Sequence, residues 1–166
     1  MADSDIILNA TSAPFVEDEA DLADSEDAYP GNFVDGDNGT VSKNGGEATT
    51  GLGTIIDLPY DPDVDKGDNI RTDYEGQRLK VQYVPIGGRV SARLNAGADL
   101  TTGANADISE DDLLVESALG ALAAYASGET SGSPEGAVYR ALEAVDNSGA
   151  SAGVGNQVYI DVVRVA

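Results

Sequence analysis

Hydrophobic and polar residues alternate along two neighbouring stretches in the second half of the chain. In residues 78–84, and again in residues 89–94, every second side chain is apolar. The positions predicted to face inward are Leu79, Val81, Tyr83, Val90, Ala92 and Leu94. A period of two is typical of a half-buried β-strand. Because Pro85, Gly87 and Gly88 lie between the two stretches, the pattern predicts a β-hairpin.

Further stretches of the same kind predict a fold built mainly of strands. Residues 137–145 and 158–165 are strand-like and are joined by a loop rich in glycine and serine. The later stretch places three branched residues on one face: Val158, Ile160 and Val162. Two short apolar patches, residues 6–8 and 54–58, can supply further strands. With 20 glycines and few aromatic residues, the chain is predicted to be mainly β, as a small β-barrel or β-sandwich.

One stretch, residues 110–126, fits two kinds of structure. Ser109 is a good helix N-cap and is followed by three acidic residues, which favour the first turn of a helix. Apolar residues then recur at helical spacing, at Leu113, Leu114, Ala118, Leu122 and Tyr125. Gly120 opposes a helix, because an interior glycine costs about 1 kcal/mol relative to alanine. From the residues alone, both helix and strand stay open.

The charge of the chain adds a second division. Thirty acidic residues stand against nine basic ones, which gives a formal net charge of -21. Residues 1–68 hold 17 of the acids and only two of the bases. Few large apolar residues occur there. We therefore expect a long acidic arm with loops over residues 1–68 and a folded β core over residues 69–166.

Such an excess of carboxylates predicts a protein adapted to very high salt. At ordinary ionic strength the charges repel one another and destabilise a compact fold. In molar salt the Debye length falls to about 3 Å, so the repulsion is screened. We expect the isolated chain to unfold or expand below about 1 M salt. The same negative charge makes free nucleic acid an unfavourable partner.

Candidate catalytic and metal-binding motifs are incomplete. The chain has no histidine and no cysteine, which removes the usual zinc ligands and disulfides. Residues 149–153 match the G-x-S-x-G nucleophile motif around Ser151, but that motif needs a histidine and a strand-to-helix turn. Residues 61–68 carry aspartates spaced as in a calcium loop, yet Lys66 and Thr72 occupy positions that require glycine and glutamate. We expect that the chain is not an enzyme and that it holds no cofactor and no specific metal ion.

The chain also lacks the usual signs of a membrane or secreted protein. No apolar run is long enough to span a bilayer, and the first residues do not have the pattern of a secretory signal. We expect a protein of the cytoplasm, or of a particle assembled there, with no membrane partner.

The one region rich in basic residues falls on the predicted hairpin. Five of the nine bases lie within 23 residues: Arg71, Arg78, Lys80, Arg89 and Arg93. The acids in that stretch are Asp73 and Glu75. We expect a docking face for an acidic partner, because close Arg–carboxylate pairs form even where long-range attraction is screened. The alternative is that these bases neutralise acidic residues of the same chain.

Three short motifs resemble a known family. They are residues 96–103 (AGADLTTG), 137–148 (AVYRALEAVDNS) and 158–165 (VYIDVVRV). In this order they resemble the capsid decoration (cement) proteins of tailed viruses, over about residues 70–166. Residues 1–68 carry no part of the resemblance.

The resemblance implies a fold and a function. It implies a β-barrel or β-sandwich that binds the outer face of the capsid lattice, often as a trimer, with the major capsid protein as partner and no catalytic residues. It favours strand over helix for residues 113–125. Together with the acidic charge it implies a virus of a halophilic archaeon, with the protein on the virion exterior after assembly in the host cytoplasm. The alternative is a halophilic adhesion or carbohydrate-binding module of a spike, fibre or surface layer.

Overall fold

The fold is mainly β, as the sequence predicts. The computed structural model describes residues 7–8, 16–23, 27–37, 39–43, 54–56, 78–125 and 136–166. Thirteen strands run through these residues, and the helical segments in them are four 3-10 turns of three or four residues. The strands form a six-stranded sheet that closes into a barrel, a five-stranded sheet and a two-stranded pair.

The strands and turns have the following bounds in chain order. The strands are β1 (Ile7–Leu8), β2 (Val16–Leu22), β3 (Val34–Asp37), β4 (Thr40–Lys43), β5 (Thr54–Ile56), β6 (Leu79–Tyr83), β7 (Arg89–Leu94), β8 (Asp107–Ile108), β9 (Leu113–Ser117), β10 (Ala121–Ala124), β11 (Val138–Ala141), β12 (Val145–Asp146) and β13 (Val158–Arg164). The 3-10 turns are Gly97–Asp99, Gly103–Ala106, Ala118–Gly120 and Val154–Asn156.

Five strands of the larger sheet close into the barrel. Their order around it is β7, β10, β9, β11 and β13, and the pairing of β13 with β7 completes the circle. β1 pairs with β7 at Val90, near the start of β7, and β10 pairs with β7 at Leu94, its last residue. Alternate side chains of these strands fill the interior, as predicted for β7 and β13. The buried members are Val90, Ala92, Leu94, Leu114, Leu122, Tyr139, Ala141, Ile160 and Val162.

The five-stranded sheet, in the order β3-β4-β2-β6-β5, has a core of its own. Its buried residues are Ala20, Ala28, Val34, Val41, Ile56, Leu79 and Val81. An isolated bridge joins Phe33 to Ile55 of β5, and both side chains lie in the core of the barrel. These two residues therefore connect the smaller sheet to the barrel.

The predicted hairpin between β6 and β7 is wrong. β6 pairs with β2 and β5 in the smaller sheet, whereas β7 pairs with strands of the barrel. The turn between them is present, with the Gly88 N–H donating to the Pro85 carbonyl at 2.8 Å. However, the Gly87 N–H donates to the Arg164 carbonyl, so the turn is held by the end of β13 and not by pairing of β6 with β7. Tyr83, which the pattern predicts to face inward, is 39% exposed, whereas Leu79 and Val81 on the same strand are buried.

Residues 113–124 form a β-hairpin, which confirms the strand alternative for the ambiguous stretch. β9 and β10 pair antiparallel on either side of Ala118–Gly120. This turn holds Leu119 and Gly120 in the left-handed region, at φ of 60° and 66°. Gly120 also packs against the carbonyl of Phe33, where a Cβ would approach the oxygen to 2.6 Å. Glycine is therefore needed at position 120 both for its positive φ and for the close approach to Phe33. The same residue that weakens a helix allows the tight turn of the hairpin.

The acidic arm predicted for residues 1–68 falls largely on residues outside those described. The described parts of this region are β1 to β5 and the segments beside them, and β2 pairs with β6 from Val16 to Ala20. The division of the chain at residue 68 into an arm and a core stays a prediction.

Candidate docking surface

Arg93, one of the five predicted docking residues, is buried, with 5% of its surface exposed. Its Nε donates to the Pro30 carbonyl at 3.1 Å and its Nη1 to the Gln157 carbonyl at 3.0 Å. The guanidinium lies 4.3 Å from the ring centre of Tyr159 and 5.1 Å from that of Tyr29, within the range of cation–π attraction. The segment around Pro30 thus covers the polar face of β7. The prediction that Arg93 lies on an exposed docking face is wrong.

We call this arrangement of Arg93, Tyr29, Pro30 and Tyr159 the arginine latch, because it attaches the segment around Pro30 to the barrel. The Tyr159 hydroxyl donates to the Pro30 carbonyl at 2.8 Å, and the Arg93 N–H donates to the Gly31 carbonyl at 3.0 Å. Gly31 has φ +87°, and a side chain there would approach the Tyr159 ring to 2.9 Å. The guanidinium contacts just named are to neutral groups at a buried site, which salt screens little.

Arg78 and Lys80 lie beside acidic residues of β2. Arg78 Nη1 is 3.9 Å from Glu19 Oε2, and Arg78 Nε is 3.5 Å from Asp21 Oδ1. Lys80 is half-buried and stands opposite Glu19 in the register of β6 and β2. These positions support the alternative in which bases neutralise acids of the same chain. Arg71 lies outside the described residues, and its role stays a prediction.

Arg89 is the predicted docking residue that the barrel presents to solvent. It is exposed at the first position of β7 and forms no ion pair with any residue that the structure describes. Ile86, at the preceding turn, is 64% exposed, and Val165, next to the Arg164 that holds this turn, is 40% exposed. Arginine beside exposed apolar side chains is typical of protein-binding surfaces. This end of the barrel is a candidate docking site.

Arg140 is a second exposed arginine of the barrel, and the sequence prediction missed it. It lies on β11, and its Nε is 3.8 Å from Asp111 Oδ1. Arg140 is far from Arg89 in the sequence, so no local cluster of bases points to it. Both arginines stand opposite Val163 of β13, one on each side. The strand register is the one signal that relates them.

Buried amide side chains join the loops near the other end of β7. Four of them are at most 9% exposed: Asn32, Asn95, Asn147 and Gln157. Asn32 Nδ2 donates to Gln157 Oε1 at 2.8 Å, and Gln157 Nε2 donates to the Leu119 carbonyl at 3.2 Å. Asn147 Nδ2 donates to the Asn95 carbonyl at 3.0 Å. Because these polar groups bond within the chain, they stabilise the loops.

The barrel interior also holds a buried carboxylate. Glu116 is 2% exposed, and its Oε1 accepts a hydrogen bond from the Tyr139 hydroxyl at 3.1 Å. Burial, and after it the negative charge of Glu116, raises the pKa of Tyr139 well above its ordinary value, with Arg164 acting in the opposite direction. The phenol therefore stays protonated and serves as the donor in this pair.

The described residues form no catalytic or metal site at the motifs found in the sequence. Within these residues no group of three or more acidic side chains is placed to hold a metal ion. Residues 61–68, the possible calcium loop, lie outside them. Ser151 lies in the loop between β12 and β13, and that loop does not have the strand-to-helix geometry of a nucleophile elbow. No helix in the described part of the chain is long and apolar enough to cross a membrane.

Comparison with protein-family models and with curated proteins finds no match for this chain.

Proposed function

We propose that this chain is a capsid decoration protein of a halophilic tailed virus. In this role it is a non-enzymatic virion component that binds the outer surface of the capsid lattice and stabilises the lattice in high salt. The observation that carries the proposal is that the first and the third resemblance motifs each contact the second one in the fold.

The first two motifs meet at a loop contact. The Gly97 N–H donates to the Asn147 carbonyl at 3.0 Å, and a side chain at Gly97 would collide with the Ser148 carbonyl. The second and third motifs pair as strands β11 and β13. Motifs that are separate in the sequence and contact one another in the fold support a common architecture better than isolated matches do.

The barrel suits a protein that binds as a preformed rigid body. Each of its five strands pairs on both sides, so the closed sheet offers no long edge for unspecific pairing. The loops at the far end of β7 are held by buried amides. A surface that is ordered before binding loses little conformational entropy on binding.

In the proposed complex the exposed end of the barrel around Arg89, Ile86 and Val165 faces the major capsid protein. The copies bind as trimers on the virion exterior after assembly in the host cytoplasm. In molar salt the contact relies on close Arg–carboxylate hydrogen bonds and on apolar burial, because both persist when long-range attraction is screened.

Rebinding to capsids that have been stripped of this protein, in molar KCl, tests the proposal. We expect saturable binding at repeated lattice positions, seen by electron cryomicroscopy. Arg89→Ser should lower occupancy, and the matched variant Arg78→Ser, which removes an exposed arginine from the other sheet, should not. A chain that is folded by circular dichroism and does not bind the capsids overturns the proposed function. Equal occupancy for both variants overturns only the role of Arg89.

A further inference from the structure

Five residues form one continuous row across the outer wall of the barrel. In the strand register, Arg89 of β7 stands opposite Val163 of β13, and Val163 stands opposite Arg140 of β11. Arg140 stands opposite Leu113 of β9. Tyr125, directly after β10, donates its N–H to the Leu113 carbonyl at 2.7 Å. We call these residues the outer row: Arg89, Val163, Arg140, Leu113 and Tyr125.

The outer row faces away from the core of the barrel. Successive side chains of a strand point to opposite faces. Four strand neighbours of row members are at most 2% exposed and fill the interior: Val90, Val162, Tyr139 and Leu114. Leu113 and Tyr125, in contrast, are 45% and 38% exposed. Arg89 and Arg140 are exposed, and Val163 is half-buried.

The outer row combines cationic and apolar side chains in a fixed order. Arg89 and Arg140 flank Val163, and Leu113 and Tyr125 continue the row as an apolar pair. Arginine and tyrosine are enriched where proteins bind one another, and they often carry most of the binding energy. The row therefore has the composition of a protein-binding site.

Both arginines of the row are available to bind a carboxylate of another molecule. Arg140 and Asp111 are 3.8 Å apart, with side chains 49% and 79% exposed, and an exposed pair of this kind contributes little stability. Arg89 forms no ion pair within the described part of the chain. A partner carboxylate thus displaces at most one weak contact.

Charge selects the kind of partner. With a net charge of -21 and nine bases in 166 residues, most of this chain's surface repels an acidic protein, and a row with two arginines attracts one. Such a contrast fixes where an acidic partner docks. Salt shortens the range of the attraction but leaves hydrogen-bonded Arg–carboxylate pairs and apolar contacts in place.

The spacing of the row favours a helix over an extended strand. Neighbouring strands are about 4.8 Å apart, so the three steps from Arg89 to Leu113 cover about 14 Å. Residues that recur every three or four positions on a helix cover about 16 Å along its axis in three steps. Alternate residues of an extended strand cover about 20 Å. Because barrel strands tilt from the barrel axis, the row runs obliquely along the wall and can meet a straight helix.

We propose that the outer row binds an amphipathic helix of an acidic partner, on which carboxylates and apolar side chains alternate along one stripe. Two carboxylates pair with Arg89 and Arg140, and the apolar side chains cover Val163, Leu113 and Tyr125. This inference rests on the proposed function, in which the helix belongs to the major capsid protein.

A synthetic helical peptide of about five turns tests this chemistry without a capsid. Its stripe alternates Glu and Leu, and a matched peptide carries Lys in place of each Glu. Both are titrated into the full chain in molar KCl, with NMR of the labelled chain to locate binding and fluorescence anisotropy to measure affinity. We expect amide shifts along the outer row with the Glu peptide and none with the Lys peptide.

Two double variants and one control complete the experiment. Arg89→Ser with Arg140→Ser, and Leu113→Ser with Tyr125→Ser, should each weaken binding at least about tenfold, which is about 1.4 kcal/mol. Arg78→Ser should leave binding unchanged. The proposal is overturned by equal binding of both peptides, by amide shifts elsewhere, or by no binding to the wild-type chain.

A second copy of the chain is the competing occupant of the row. Sedimentation of the chain alone, as wild type and as the arginine double variant, decides between the two occupants. If the double variant has a different oligomeric state from the wild type, the row forms contacts between copies and the proposal is overturned. The peptide assay contains no capsid and the capsid assay contains no peptide. Peptide failure with intact capsid binding therefore refutes the helix site alone, and the reverse result refutes the capsid function alone.

Discussion

Arg93 of the barrel and Arg78 beside the five-stranded sheet are held in different ways. Arg93 of the barrel is buried and bonds to carbonyl groups and aromatic rings. Arg78, beside the smaller sheet, is 56% exposed and reaches Glu19 and Asp21 at 3.9 and 3.5 Å. Salt screens exposed charge pairs but has little effect on hydrogen bonds from a buried guanidinium to carbonyl groups. The barrel should therefore depend on salt less than the smaller sheet does.

The acidic residues strengthen this contrast. β2, the central strand of the smaller sheet, carries the sequence VEDEADL. Its acids repel one another when salt no longer screens them. The barrel interior, in contrast, is filled mainly by aliphatic side chains, and the buried Glu116 carboxylate accepts a hydrogen bond from Tyr139.

The largest expected effect is a separation of the two regions as salt is removed. We expect amides of β2, β4 and β6 to lose protection at a higher KCl concentration than amides of β7 and β13, because the smaller sheet contains the acidic strand. Hydrogen exchange read by mass spectrometry over a KCl series measures this directly. Simultaneous loss in both regions, or protection that stays constant down to low salt, contradicts the comparison.

Removal of the latch arginine should give the next largest effect. Arg93→Ser loses the hydrogen bonds of a charged group to the Pro30 and Gln157 carbonyls and the contacts with two rings, so we expect a loss of about 3 kcal/mol or more in the free energy of unfolding. The loss should be similar at two molar-range KCl concentrations in urea titrations. Arg93→Lys keeps the charge but not the forked geometry, and should recover only part of the stability. If the loss in the free energy of unfolding disappears at the higher KCl concentration, the claim that the latch is independent of salt is wrong.

The buried Glu116–Tyr139 pair in the barrel predicts that the free energy of unfolding depends on pH. The pKa of Tyr139 is raised in the folded state, so above about pH 10 the unfolded state releases the phenol proton first. Stability is therefore full below that pH and falls above it, by at most about 1.4 kcal/mol per pH unit from this group. Urea titrations at increasing alkaline pH should show a smaller decline for Tyr139→Phe, and an unchanged decline contradicts the assignment.

The smallest expected effect concerns the exposed arginine of the smaller sheet. Arg78→Ser should cost less than about 1 kcal/mol, because ion pairs between exposed side chains contribute little. The cost should decrease further as KCl is raised. Urea titrations beside Arg93→Ser provide the matched test, and equal losses for the two variants would remove the contrast between the regions.

Strand positions could be predicted from the sequence because alternation is a local signal. β7 and β13 lie where the pattern places them, and Val90, Ile160 and Val162 face the core as predicted. The pairing of strands was predicted less well. The turn after Pro85 suits a hairpin, yet its N–H and carbonyl groups bond to Arg164, a contact that no local pattern reveals.

The candidate site depended even more on distant contacts. The burial of Arg93 follows from the segment around Pro30, which folds over β7 from 63 residues away. Arg140 became part of the site only through its register with Val163 and Leu113. A sequence read locally identifies charged residues, and the tertiary fold decides which of them face solvent.

The most direct test of the central claim is the copy number of this chain in purified virions. Quantitative mass spectrometry of virions isolated in high salt measures it against the major capsid protein. We predict a copy number close to that of the capsid subunit, lost when the outer surface is stripped and restored on rebinding. Absence of the chain from intact virions would contradict the account.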